Sequence, residues 1–267
     1  MNRKLIHRLS LTLTAGLFLA LAQGAVEVGR ETGAPFHMAF GIAVGVLTLV
    51  WVVGVRKARP EAFPLALSVL ATVGLSGLTG TATDPALKVA HAAFSHLAFA
   101  LAAAGAAMTS NSWEAKLAVA DGGFPTLRSL AWMTPAAVVM QVALGAAYRH
   151  KMTGLIPHVS WAFVAAMFVI MTAAFTMTQC GKHPALKKLS IWLISITGVQ
   201  LILGVVALIG RIAENEAARS AWMVVSTTSH VLTGAVVLAL TMALSAQTLR
   251  HVEPVAATNL AATGQNG

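Results

Sequence analysis

Eight times along this chain an apolar run passes with hardly a charge, each close to the roughly 20 residues a helix needs to cross a bilayer. The runs fall at about 9–26, 37–55, 64–81, 89–109, 129–147, 158–178, 189–209 and 222–246. Hydrocarbon offers no water to a bare N–H or C=O, so each segment must satisfy its own backbone, and runs of this length and pattern do so as helices. The wider composition agrees. Of 267 residues 57% are hydrophobic and 10% charged, against about 25% charged in ordinary soluble domains. Mean hydropathy is +0.76. The opening MNRKLIHRLS has the basic start of a signal peptide. No small-residue cleavage site follows cleanly and the later runs are equally apolar, so it is taken as the lead into the first span.

The net charge of +9 is not a nucleic-acid footprint, because the basic residues sit in short clusters between apolar runs. One set of loops carries Arg3, Lys4, Arg8, Arg56, Lys57, Arg59, Lys116, Arg128, Lys182, Lys187, Lys188 and Arg250; the other carries Arg30, Lys88, Arg149, Lys151, Arg211 and Arg219. Twelve against six places both termini in the cytoplasm of a multi-pass protein of the inner (plasma) membrane. The lone cysteine, Cys180, excludes an internal disulfide and a cysteine-rich metal site, and is expected to be an inert loop thiol.

Histidine carries the chemical signal. Of nine, five read as peripheral: His7 and His251 near the termini, His183 in GKHPALKK, His150 beside Arg149, and His91 near the start of span 4. The first three are expected to be solvated. His37, His96, His158 and His230 fall in the outer third of the even-numbered spans. They lie in echoing segments: TGAPFHMAF with TGLIPHVSW, and AFSHLAFALAAA with TTSHVLTGAVVL, which aligns Ser95-His96 with Ser229-His230 and His91 with Val225. The fold class expected is an all-α integral membrane protein of eight transmembrane helices, built as two tandem four-helix bundles related by a pseudo-two-fold axis along the membrane normal. The halves are 1–110 and 129–250, joined by a cytoplasmic linker at 111–128 and followed by a disordered tail at 251–267.

One intramembrane histidine is accounted for as a hydrogen-bonding glue between helices. Four at matching positions call for a ligand. Heme fits, since its flat apolar macrocycle fills a bundle core and axial imidazoles hold its iron. On this reading His37 and His96 ligate one heme, and His158 and His230 another. Zinc and di-iron sites lack their carboxylates, because none of the nine Asp and Glu residues falls inside an expected span,. Arg149, Lys151, Arg30 and Arg211 lie on the side where propionates would point. Spans 5 and 7 share QVALG and QLILG, so Gln141 and Gln200 can reach a bound group while Gly145 and Gly204 allow close approach,.

Eight spans in two halves, Gln-x-x-Leu-Gly in odd spans and a histidine in each even span resemble heme A synthase, the cytochrome oxidase assembly family, over nearly the whole chain. The resemblance implies an oxidoreductase that converts the C8 methyl of heme O to a formyl group, with heme b as cofactor. It implies a catalytic half around His37 and His96, and a cofactor half around His158 and His230 with Arg149, Gln141 and Gln200. Implied partners are the lipid bilayer, a membrane enzyme that supplies heme O and an electron donor. Members usually carry a catalytic glutamate three residues before the span 2 histidine; here Ala34 stands there, the nearest acids are Glu31 and Glu27 in the preceding loop, and Glu31 is expected to take the catalytic place beside His37 and His96. Many bacterial members also carry a cysteine pair in an outer loop, which this chain lacks. The alternatives are a di-heme b-type electron carrier or heme-handling protein without oxygenase activity, and a transporter on the same scaffold. Few buried charges, and no matched pair of Gly/Pro-broken spans, argue against the transporter.

The charge asymmetry makes a direct prediction. Reporter fusions after Arg59 and after Lys188 will score as cytoplasmic and fusions after Lys151 as external; an external score at Arg59 would reverse the orientation.

Overall fold

The computed structural model describes residues 2–30, 35–114, 119–122, 124–213 and 220–254, the side chains of 30, 35 and 211–213 excepted. Eight helices, each long and apolar enough to cross a membrane, account for nearly all of it: α1 (Arg3–Arg30), α2 (Pro35–Ala58), α3 (Phe63–Thr79), α4 (Pro85–Thr109), α5 (Leu127–Arg149), α6 (Leu155–Cys180), α7 (Pro184–Ala213) and α8 (Ala221–His251). The protein is an all-α, multi-pass membrane fold. Several helices outrun the apolar runs that announced them. Most consequential is α1, which carries Glu27 within its last turns instead of in a loop.

Local chemistry sets several helix starts. Asp84 caps α4, its Oδ1 accepting from the N–H groups of Ala86 (2.9 Å) and Leu87 (3.2 Å), with Pro85 at the first helical position, where no donor is needed,. Thr126 and Ser220 cap α5 and α8 in the same way. Between the helices, small side chains set the spacing. Ala98, Ala102 and Gly105 of α4 and Ala235, Ala239 and Ala243 of α8 are buried, and these two helices pack along each other at the centre. Small residues let backbones approach closely where lipid gives no hydrophobic push between helices. Around them, α1 packs on α4 and α8, α5 packs on α8 and α4, α2 bridges α1 and α3, and α6 bridges α5 and α7. The outward faces remain apolar: Ile42 and Val46 on α2, and Ile202 and Val205 on α7, are all exposed, as a lipid-facing surface requires.

The end of the bundle that holds the termini is tied by polar contacts. Trp51 is fully buried and donates from Nε1 to Ser10 Oγ (2.8 Å), which also accepts from Thr109 Oγ1 (3.1 Å), so α1, α2 and α4 meet there. The 111–128 linker is held down. Val119–Ala120 (β1) pairs in parallel with Val252–Glu253 (β2), and Arg128 donates to the carbonyls of Leu249 (3.2 Å) and Val252 (2.8 Å). Glu114 pairs with Arg3 and with Arg59, the latter at 2.8 Å.

Five expectations change here. His183 and His251 are buried, with ring centres 4.3 Å apart. His251 also engages Gln247 (3.0 Å). His7 bonds Thr109 instead of water alone, Nδ1 to Oγ1 at 3.1 Å. Cys180 is the buried last residue of α6. The disordered tail expected over 251–267 does not hold for residues 251–254, which finish α8 and form β2; residues 255–267 lie outside those described. For the tail the reason is that α8 runs past the apolar stretch and gives the linker a backbone to pair with.

Asp121 is the key of this clasp. It is 2% exposed, and its carboxylate accepts from the N–H groups of Leu127 (2.8 Å) and Arg128 (3.0 Å) at the start of α5. Leaving such buried donors unpaired costs about 1–3 kcal/mol. Asp121→Ala will therefore lower the thermal unfolding midpoint in detergent, whereas a change at exposed Lys187 will not.

Candidate functional site

At the opposite end of the bundle four imidazoles come together in two pairs. His37 is the third residue of α2, His91 the seventh of α4, His158 the fourth of α6 and His230 the tenth of α8. The rings of His37 and His91 lie 6.0 Å apart between centres with their planes at 81°; those of His158 and His230 lie 6.3 Å apart at 89°.

The pairing of His158 with His230 is the one the sequence suggested. The pairing of His37 with His96 is not what forms: the ring facing His37 belongs to His91, which sequence alignment had set aside. Five helical residues rotate a side chain by about 140° and advance it about 7.5 Å, so His91 and His96 cannot share a face of α4. His96 is buried, donates from Nδ1 to the carbonyl of Ala92 in its own helix (2.7 Å), and interacts with the backbone at Val231 of α8. It is part of the α4–α8 contact.

Each of the four rings lies against a glycine of the preceding helix or its C-cap. A Cβ placed on Gly24, Gly80, Gly145 or Gly204 would stand 3.1, 3.2, 2.8 or 3.0 Å from Cε1 of His37, His91, His158 or His230 respectively. Each ring also interacts with the carbonyl four residues before that glycine. His91 Nδ1 donates to Ser76 O at 2.9 Å, and His37, His158 and His230 engage the carbonyls of Ala20, Gln141 and Gln200. In these three the Nδ1 atom is buried without completing a hydrogen bond. The sequence carried the signal as an i, i+4 pair ending in glycine: Ala20/Gly24, Ser76/Gly80, Gln141/Gly145 and Gln200/Gly204. Only the last two look alike in the sequence, because each has a leucine just before the glycine.

The surroundings of the two pairs differ. Ser76 Oγ and Ser95 Oγ lie 2.7 Å apart beside His91, and Ser95 donates to the His91 carbonyl (2.8 Å). In the second pair Gln200 Nε2 reaches His230 Nε2 at a long 3.4 Å and packs on Gly234. The amide oxygens of Gln23, Gln141 and Gln200 are buried without partners. Glu27 lies close enough to His37 to act on it electrostatically. Arg149 donates to the Ala25 carbonyl (2.8 Å), joining α5 to α1. Lys151 is exposed, with φ at 60°. Glu31 lies outside the described residues, as does Ala34, and so do the side chains of Arg30 and Arg211.

What could occupy such pairs is testable from geometry. With metal–imidazole bonds of about 2.0–2.1 Å and ring centres about 1.2 Å behind the ligating nitrogens, two axial imidazoles on one ion stand about 6.4 Å apart. Both observed spacings lie near that value. Among the described residues no three His, Cys, Asp or Glu side chains converge as a metal cage would need, so the arrangement suits a group that brings its own equatorial donors. Of the eleven buried side-chain atoms without partners among the described residues, six belong to His37, His158, His230, Gln23, Gln141 and Gln200. Native interiors seldom leave such clusters unless a water or ligand answers them. The residues fit a bis-imidazole heme. Set against known proteins, the chain matches no family model and no curated protein sequence.

At the same end, His150 caps the C-terminus of α5. Burial holds its pKa below the usual 6.5, and the positive charges of Arg149 and Lys88 and the neighbouring His91 push the same way. A depressed histidine pKa favours the neutral form in the folded state, so its contribution is complete above the unfolded value and is lost as pH falls below it. Between about pH 8 and pH 5 the unfolding midpoint will therefore fall less in His150→Gln than in the parent, by thermal melts in detergent.

Proposed function

We propose that this protein is a heme-binding membrane oxidoreductase of the heme A synthase type, converting heme O to heme A for oxidase assembly. One observation carries the heme reading: two imidazole pairs with ring centres 6.0 and 6.3 Å apart, each pair drawn from two helices that enter at the same end. His37 and His91 would hold one heme, and His158 and His230 the other. His91 replaces His96 in the first pair because its ring is the one that faces His37. The reading includes the tandem relation between halves, for which the recurring histidine, glycine and carbonyl arrangement is the support. It also includes an inner-membrane location with cytoplasmic termini, supported by the basic asymmetry of the loops.

Bound heme supplies an iron that passes electrons one at a time. The chain's own residues supply the rest. Ser76 O would fix the tautomer of His91 by accepting a hydrogen bond from its Nδ1–H, which leaves Nε2 for metal, as outer-shell carbonyls do for many ligating histidines. Converting a methyl group to a formyl group takes one oxygen atom from water and releases four protons and four electrons; an external electron acceptor would take the electrons, and a carboxylate beside the reacting centre is suited to take the protons. Glu27 is the described acid that acts on His37; it offers that function where the family's usual glutamate is replaced by Ala34. Gln200, in contact with His230 Nε2, and Gln141 line the second pair.

The replacement at Ala34 favours a second reading, a di-heme b-type electron carrier or heme-handling protein that keeps both sites without the oxidation. Heme extracted from cells that express the chain together with a heme O source separates the two. Heme A formed, and lost in His37→Ala and Glu27→Gln, supports the synthase; heme O or b bound with no heme A supports the carrier. Spectra test the ligand assignment in either case. His91→Ala will lose the low-spin signature of one heme, and His96→Ala will retain both. The opposite result would restore His96 to the first pair.

A further inference from the structure

The four glycines under the histidines have no role in the reading above. Resting on that reading, we infer that Gly24, Gly80, Gly145 and Gly204 are positioning residues: each, with the carbonyl four residues before it, forms a socket that sets the plane of one axial imidazole.

The physical case is steric and polar at once. In a helix the carbonyl of residue i is partly screened by the side chain at i+4, so a glycine there opens the helix surface above that carbonyl. An imidazole can then lie flat on the bare backbone and offer its N–H to the carbonyl. His91 does both, with Nδ1 2.9 Å from Ser76 O and Cε1 at the Gly80 site. The other three rings lie against Gly24, Gly145 and Gly204 in the same way, with Nδ1 atoms that do not complete the hydrogen bond. In each case the ring is confined between a fixed backbone and its partner ring, and so its plane is set by the direction of the odd-numbered helix. This accounts for the near-perpendicular planes of 81° and 89° in pairs that lie in different halves of the chain.

The sockets are distinguishable from ordinary helix packing, because the atom a new methyl would strike is the imidazole itself. At 145 and 204 a Cβ would sit 2.8 and 3.0 Å from Cε1 of His158 and His230. A histidine side chain turns about two bonds and can yield where a backbone cannot. The substitution thus displaces the ring and leaves the helices in place. Gly198, on the same helix as Gly204, has no atom within 4 Å of its Cβ position, so it supplies a control of equal helix propensity.

The test compares Gly145→Ala, Gly204→Ala and Gly24→Ala with Gly198→Ala in the full-length, heme-loaded protein. Heme stoichiometry, low-spin EPR g-values and the midpoint potential of each heme are measured in all of them. Perpendicular axial imidazoles give a strongly anisotropic low-spin EPR signal. The expected result is retained heme with reduced anisotropy and a shifted midpoint potential in the socket variants. The change should be larger at 145 than at 24, where the Cβ would stand 3.1 Å from the ring, and Gly198→Ala should match the parent. If one socket variant fails to accumulate, the remaining two decide. Heme bound with unaltered g-values and potentials in the socket variants, or an equal change in Gly198→Ala, overturns the socket role while leaving heme binding intact. A parent chain that takes up no heme overturns both.

Discussion

An imidazole placed in hydrocarbon has no water to bond, and most of the far end of this bundle is arranged around that fact. The chain meets it by turning a neighbouring helix into a hydrogen-bonding surface. A glycine uncovers the carbonyl four residues before it, and the ring of the next helix lies over the gap. One consequence is that consecutive helices are joined where they leave the bilayer. Another is that each ring keeps an edge free to face a second ring from the next even-numbered helix. Where the carbonyl contact is closed, at His91, serine hydroxyls reinforce it. Where it is left open, buried Nδ1 and amide oxygen atoms remain without partners, and these unanswered atoms underlie the ligand reading.

The other end of the bundle solves a different problem with ordinary means. Helix ends leave donors and acceptors bare, and here Asp121, Arg128 and Gln247 answer them at the ends of α5, α8 and α4. Between the two ends α4 and α8 meet along alanine and glycine, which keeps the centre close-packed and free of charge. His96 sits in this central contact. Its ring is spent on a backbone carbonyl of its own helix and on contact with α8, so the central helices are linked by a polar group as well as by shape.

If the proposed hemes are present, the two sites would not be equivalent. The first pair has serines on α3 and α4 and the Glu27 carboxylate within electrostatic range. The second has two glutamines and no described acid acting on its rings. A carboxylate beside one iron and neutral amides beside the other would stabilise different charge states. A division of labour between halves needs such a difference, whichever of the two proposed activities the protein performs.

The eight helices were legible in the sequence because the bilayer imposes a length and a polarity that each segment displays alone. His37, His158 and His230 were legible as candidates for the same reason: a polar residue in an apolar run stands out without any knowledge of its neighbours. Which of His91 and His96 faces His37 was not legible, because a Ser-His echo with Ser229-His230 favoured His96, whereas the ring that meets His37 is that of His91. Facing His37 depends on helix rotation, and rotation is set by how Gly80 and Ser76 of α3 meet α4. Glu27 was misplaced for a related reason, since the helix continues past the last apolar residue once its neighbours pack on it. His183 and His251 look solvated in basic segments far apart in the sequence, and only tertiary packing brings their ring centres to 4.3 Å of each other. Element type and number thus follow from local composition acting against the solvent; which side chains meet follows from the relative rotation and register of helices, a property that no single segment carries.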